Sequence, residues 1–122
     1  MSAWRGLIAP GDISDEEKAA LEELVTTTHD GDAWAEVLET NGWTDGLPVV
    51  PPTPEKVAAM VAALGGDPQK VEARVPPRWG ALTREVLAVN MVMAGCLPKY
   101  ARIVRAALLA LCEPAFNLNG VQ

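Results

Sequence analysis

Cys96 is the residue of this chain best placed for chemistry, because a helix is predicted to begin directly after it. The stretch Cys96-Leu97-Pro98-Lys99 sets the thiol beside the free N–H groups of that helix and beside a lysine. A positive helix end and a nearby cation both favour the reactive thiolate form of a cysteine. The alternative is an inert, buried thiol at a tight corner between two helices, since free cysteines are among the most buried residue types.

Thr44 and Asp45 are the polar side chains of a stretch rich in Gly and Pro, residues 41–54, which we call the signature loop. Asp45 can serve as a general base or as an anchor for a substrate hydroxyl or amine, with Thr44 beside it. A carboxylate in such a turn can equally bind local backbone N–H groups. Arg78 can clamp an anionic group. We therefore predict Cys96 and Asp45 as catalytic, and Thr44 and Arg78 as substrate-binding.

Three asparagines complete the predicted substrate-binding set. Asn90 interrupts an apolar helix, where it either fixes packing against a neighbour or faces a pocket. Asn117 and Asn119 flank Leu118 near the end of the sequence, where turn formation and substrate binding both fit. The sequence contains no C-x-x-C, H-E-x-x-H or Walker pattern, so no metal site is predicted and no cofactor is indicated.

The signature loop also carries a resemblance to a known family. Its Gly-Trp-Thr-Asp-Gly-Leu-Pro-Val-Val-Pro-Pro-Thr sequence (42–53) resembles a motif of the bacterial UGSC family, which includes selenoproteins. The segments 75–78, 90–100 and 116–122 match the family in the same order, so the resemblance covers about residues 41–122. The family's Sec/Cys-Gly-Ser-Cys motif is absent here, and no redox role is carried over. Family members continue past the position of Gln122, which implies an N-terminal half completed by a second protein chain.

Three functions are consistent with this sequence. The first is the small subunit or N-terminal fragment of a heteromeric enzyme that acts on a small polar molecule, through the Cys96 thiol or by hydrolysis or lyase chemistry. The second is a non-catalytic module that docks onto and stabilises a UGSC-type redox partner. The third is the processed chain of a self-cleaving hydrolase or lyase. We also expect a hetero-oligomer in which the apolar side chains of residues 113–122 pack into the partner.

Charge divides the single predicted domain into two parts. Residues 1–46, an acidic helical arm, hold eleven acidic and two basic residues, whereas residues 47–122, an apolar helical body, hold five and eight. The arm is either a solvated face, or it folds back on the body or lies on a partner. A pI of about 4.7 without a basic aromatic patch disfavours nucleic-acid binding.

The targeting features of the sequence point to the cytoplasm. Met1–Arg5 lacks a basic segment followed by a long apolar run, so no secretory signal is predicted. The most apolar stretches, 82–95 and 99–112, are shorter than the ~20 residues that span a bilayer, so no membrane association is predicted. Cys96 and Cys112 are then expected as free thiols, Cys112 in a structural role.

Periodicity predicts an α+β fold that is predominantly helical, with about five helices and one or two short strands. The expected strand at 70–75 requires a partner strand from this chain or another. The last two long helices are apolar nearly all round, which leaves more apolar surface than the chain can bury and favours an oligomer. Four arginines are expected at solvated positions: Arg74, Arg84, Arg102 and Arg105. The expected helices cover 15–30, 32–40, 54–64, 83–94 and 98–112.

Overall fold

The structure, a computed structural model, describes residues 16, 19, 31–42 and 44–121, and helices dominate it. The predominantly helical α+β fold is confirmed, with five helices in the described part of the chain. Of the helix expected at 15–30, only Glu16 and Ala19 are described, and both are helical. The elements are α1 (Gly31–Thr40), α2 (Pro54–Ala63), β1 (Val71–Val75), β2 (Gly80–Thr83), α3 (Arg84–Met93), a 3₁₀ turn (Pro98–Tyr100), α4 (Ala101–Leu111), a 3₁₀ turn (Pro114–Phe116) and α5 (Leu118–Val121).

Helices α2 and α3 each begin after a threonine that caps the helix. The hydroxyl of Thr53 accepts a hydrogen bond from the Lys56 N–H at 3.5 Å, and Pro54 occupies the first helical position. The hydroxyl of Thr83 accepts from the Val86 N–H at 3.2 Å. Each cap satisfies an N–H group that has no partner within its helix, and this fixes where the helix begins.

Both helices end in the same glycine turn. Gly65 after α2 has φ +109°, and Gly95 after α3 has φ +78°. In the second turn the Gly95 N–H donates to the Val92 carbonyl at 2.9 Å, and the Cys96 N–H donates to the Met91 carbonyl at 2.8 Å. This pair of bonds is the Schellman motif, in which the left-handed residue is normally glycine. The backbone at Cys96 is therefore fixed by the end of α3.

Strands β1 and β2 form an antiparallel hairpin. The sequence predicts β1 but not β2. Because β2 pairs with β1, the partner strand lies in this chain and no other chain is needed to supply it. Ala73 pairs with Leu82 and Val75 with Gly80, while the register shifts between Val71 and Ala73. This bulge breaks the strict alternation of side chains that the sequence pattern assumes.

The core lies between α2 and α3, and α4 packs against it. The apolar stripe of α2 is buried, as is most of α3, but Ala101 is the one fully buried residue of α4. Val104 and Leu108 cover the core partly. None of the described helices combines the length and apolarity needed to cross a membrane. The core residues are Val57, Met60, Val61, Leu64, Leu87, Ala88, Val89, Met91, Val92 and Ala101.

Candidate functional site

Cys96 lies in the wall of a cleft of about 340 Å³ between α2 and the turn that follows α3. The thiol is half-buried and forms no disulfide. Most of the wall is apolar, with Val50, Met60 and Val92 contributing, and the ammonium-bearing side chain of Lys56 lies in the same wall. The cleft thus combines a nucleophilic atom, a cation and a surface that binds apolar groups.

The backbone places Cys96 where the sequence predicts it. Leu97 is the residue that caps the next helical segment, and Pro98 begins the 3₁₀ turn that leads into α4. Lys99, the cation expected near the thiol, is not among the residues that line the cleft, and its ammonium lies 5.0 Å from the centroid of the Tyr100 ring. Lys56 lines the cleft instead. It lies forty positions away in sequence, and no local pattern relates it to Cys96.

Asp45 and Thr44 shape the signature loop itself. The Asp45 Oδ1 atom accepts a hydrogen bond from the Leu47 N–H at 3.1 Å. The Thr44 hydroxyl accepts from the Gly46 N–H and donates to the Leu47 carbonyl, both at 3.1 Å. This is the turn role that the sequence allowed as an alternative to catalysis. Neither residue lies in the wall of the Cys96 cleft.

The signature loop reaches the cleft through Val50. The Val50 N–H donates to the Met93 carbonyl at 3.0 Å, and the indole N–H of the buried Trp34 donates to the Val49 carbonyl at 2.9 Å. These bonds hold the loop between α1 and the end of α3. The loop therefore supplies an apolar side of this cleft through Val50.

The other predicted substrate-binding residues lie outside the wall of this cleft. Arg78 is exposed in the turn between β1 and β2. Asn90 is exposed on α3, and its amide donates to the Val86 carbonyl at 2.8 Å. Asn117, with φ +54°, precedes α5, and Asn119 is exposed within it. The structure brings none of these four residues into the wall beside the thiol.

A second cleft, of about 430 Å³, lies at the end of α2 and is lined by Ala63, Leu64, Gly65, Arg102 and Arg105. Arg102 is exposed. The Arg105 side chain is held in place by Glu72, whose Oε2 atom accepts a hydrogen bond from the Arg105 Nε–H at 2.7 Å. Sequence reasoning did not identify this cleft, since α2 and α4 are far apart in the chain.

Glu72 is the centre of a buried ion cluster. Its side chain is 1% exposed, and its second oxygen accepts from the Arg84 Nε–H at 2.5 Å. Arg84 also donates through Nη1 to the carbonyls of Gly65 and Gly66, at 3.0 and 2.9 Å. The prediction that Arg84 is solvated is wrong, since it is 8% exposed. Arg105 is likewise half-buried and paired rather than free.

The arginines of the cluster stabilise the ionised form of Glu72. The hydrogen bond from Arg105, together with that from Arg84 and both positive charges, lowers the pKa of Glu72 although burial acts against this shift. The same bond raises the pKa of Arg105 above its ordinary value. Glu72 is therefore ionised at neutral pH, and it orients Arg105 toward the second cleft.

Comparisons of the chain with protein-family models, with curated proteins and with solved structures find no match. Within the described residues, no group of three or more His, Cys, Asp or Glu side chains could hold a metal ion.

Proposed function

We propose that this chain is a subunit of a heteromeric enzyme that acts on a small polar molecule through the thiol of Cys96. The observation that carries the proposal is a half-buried, unpaired thiol in an open apolar cleft with Lys56 in the same wall. The proposal of a second chain in this complex is supported by the resemblance of residues 41–122 to the UGSC family.

The chemistry of the cleft suits attack by sulfur on an electrophilic carbon. A thiolate is the nucleophilic form of cysteine, and a neighbouring ammonium favours it. The Lys56 side chain has no partner among the described residues, so its charge is available to an oxyanion that forms during attack.

The outer face of α4 has a composition that suits contact with a partner chain. Ile103 is 71% exposed, and Ala106, Ala107 and Ala110 are exposed beside it. Arg102 is the one charged residue among the exposed positions of this helix. A helix face that is flat and apolar in the isolated chain is typical of a protein interface.

Alkylation of Cys96 by iodoacetamide tests the thiol, read by mass spectrometry of the peptides. We expect Cys96 to react faster than Cys112 in the same molecule, because Cys96, unlike Cys112, lies in the wall of the cleft that Lys56 also lines. Lys56→Gln should slow alkylation of Cys96 several-fold, whereas Lys70→Gln, which removes an exposed lysine outside the cleft, should not. Equal rates at Cys96 and Cys112, unchanged by Lys56→Gln, would contradict the proposal.

A second candidate function, a non-catalytic docking module for a UGSC-type redox partner, is favoured by the exposed face of α4. The two candidates differ in what the complex requires. When the chain is purified with the products of neighbouring genes, the enzyme proposal expects Cys96→Ser to abolish the activity of the complex. If activity requires the chain but survives both Cys96→Ser and Asp45→Asn, the docking function is correct.

A further inference from the structure

The two clefts lie along one face of α2. The first is lined by Lys56, Ala59 and Met60, and the second by Ala63 and Leu64. These positions follow the i, i+3, i+4, i+7, i+8 spacing of a single helix face. At a rise of roughly 1.5 Å per residue, the seven steps from Lys56 to Ala63 span about 10 Å.

On the side opposite α2, the first cleft is lined by Cys96 and Pro98 and the second by Arg102 and Arg105. We call the two neighbouring clefts together the groove. The thiol therefore lies near one end of the groove and two guanidinium groups lie near the other, with the apolar side chains of α2 between them.

The arginine end has more positive charge than its carboxylate can balance. Glu72 is the acidic partner of both Arg84 and Arg105, and Arg102 has no partner among the described residues. No acidic side chain lines the second cleft. The Gly65 and Gly66 carbonyls, which could repel an anion, accept hydrogen bonds from Arg84.

Arg105 is also preorganised. Its Nε and Nη2 atoms lie 2.7 and 2.6 Å from Glu72 Oε2, which leaves Nη1 without a partner in the described part of the chain. Arg102 and Arg105, three residues apart on α4, project from the same side of the helix. Two guanidinium groups in this arrangement can bind one carboxylate or phosphate through several charge-assisted hydrogen bonds.

We infer that Arg102 and Arg105 form an oxyanion subsite for one end of an elongated substrate whose other end reaches Cys96. The inference rests on the proposed function for the identity of the reacting end. The substrate class is a small polar molecule with a terminal carboxylate or phosphate, joined by a short apolar segment to an electrophilic carbon; the span between the two ends is comparable to the ~10 Å that α2 covers from Lys56 to Ala63. The apolar residues Ala59, Met60 and Ala63 contact the middle of such a molecule.

Two maleimides that differ in one terminal charge test this geometry, in a Cys112→Ser background. The probes are 6-maleimidohexanoic acid and neutral N-ethylmaleimide. In each reaction the sulfur bonds to one alkene carbon and a solvent proton goes to the other, so no oxidant or reductant is needed. We expect the acid to react with Cys96 about ten-fold faster relative to N-ethylmaleimide than it does with free cysteine, a factor equivalent to about 1.4 kcal/mol.

Arg102→Gln is the decisive variant, because it removes a guanidinium from the groove and leaves the Glu72 cluster intact. We expect it to abolish the preference for the acid, while Arg78→Gln, in the exposed hairpin turn, retains that preference. In a Cys96→Ser variant, inorganic phosphate should shift the NMR signals of the arginine Nε–H groups, and Arg102→Gln should weaken that binding.

The outcomes separate the subsite from the proposed function. Arg102-dependent phosphate binding with a Cys96 that reacts with neither maleimide supports the subsite and overturns the thiol chemistry. A reactive Cys96 with no preference for the acid and no phosphate binding overturns the subsite alone. Preference for the acid that persists in Arg102→Gln also overturns the subsite, because the charge then comes from elsewhere.

Discussion

The ion cluster around Glu72 and the groove beside Cys96 use charged side chains in opposite ways. In the cluster, both Glu72 oxygens and the Arg84 guanidinium are hydrogen-bonded and nearly inaccessible to solvent. In the groove, the side chains of Lys56 and Arg102 have no partner within the described residues. Charge that is fully paired contributes to the fold, whereas charge that is exposed and unpaired in a cleft is available to a ligand.

The two regions are also held by different structural devices. The cluster joins β1 through Glu72, α3 through Arg84, α4 through Arg105 and the end of α2 through the Gly65 carbonyl. The position of Cys96 depends mainly on one backbone turn, the Schellman motif at Gly95. Changes in the cluster should therefore lower stability, and changes in the groove should alter reactivity with a smaller effect on stability.

Glu72→Gln should give the largest loss of stability. The substitution conserves size but leaves the buried Arg84 without its counter-ion, and breaking a buried ion pair typically costs about 3–5 kcal/mol. The matched control is Glu85→Gln, since Glu85 accepts one exposed hydrogen bond, from Gln69 at 3.3 Å. Urea unfolding measures both free energies. A loss below about 1 kcal/mol for Glu72→Gln would show that the cluster does not hold the four elements together.

Much of the fold was predictable because its boundaries depend on local chemistry. Thr53 and Thr83 cap α2 and α3 through their own hydroxyls, and Gly65-Gly66 ends α2. These features involve residues within a few positions of one another. Strand β2 was missed because Gly80 and Ala81 have low strand propensity, and only pairing with β1 makes the segment extended.

The cluster and the second cleft could not be predicted in the same way. The alternation of polar and apolar residues over 70–75 predicts that Glu72 shares an exposed face with Lys70 and Arg74. The bulge instead leaves Val71 48% exposed and the Glu72 side chain buried. Arg105 lies 33 positions from Glu72. Local patterns contain no information on such distant pairs, so all the pairings of this cluster depend on tertiary structure.

Acidification should remove part of the stability that Glu72→Gln removes. The pKa of Glu72 is below its ordinary value of 4.5, chiefly because Arg105 donates a hydrogen bond to it. A carboxyl group whose folded pKa is depressed contributes stability fully above the unfolded pKa and loses it as pH falls through the folded pKa. The difference in unfolding free energy between the parent protein and Glu72→Gln should thus be constant from pH 7 to about 5 and shrink below 4.5. A difference that grows on acidification would reverse the sign of this linkage.

Gly95→Ala should cost about 1–2 kcal/mol, less than the loss of the ion cluster. An added Cβ meets only Val50 Cγ2 at 3.8 Å, so the cost comes from the left-handed backbone at φ +78° rather than from a clash. Gly80→Ala is the matched control, because its backbone is not left-handed and nothing lies within 4 Å of the added atom. Thermal unfolding gives the stability, and iodoacetamide labelling reports the position of Cys96. If both variants behave alike, the turn at Gly95 does not position the thiol.

Ile103→Ala should have the smallest effect on stability, although it removes the larger of two neighbouring side chains on α4. Ile103 is 71% exposed, whereas Val104 packs partly against the core. An exposed side chain loses little burial on truncation, so Ile103→Ala should change the unfolding free energy by no more than about 0.5 kcal/mol. Val104→Ala should cost about 1 kcal/mol, because it removes methyl groups from a partly buried position.

The same two variants then test whether the outer face of α4 binds a partner chain. Association with the proposed second chain, measured by size-exclusion chromatography of the co-purified complex, should weaken in Ile103→Ala and persist in Val104→Ala. Val104→Ala should therefore lower the unfolding free energy more than Ile103→Ala does, whereas Ile103→Ala should weaken association more. A general loss of hydrophobicity would not produce opposite orders in the two measurements. A loss of unfolding free energy in Ile103→Ala equal to that in Val104→Ala would mean that Ile103 is already packed within the chain. The face would then have no free surface to offer a partner, and the heteromeric part of the proposed function would fail while the reactivity of Cys96 stayed intact.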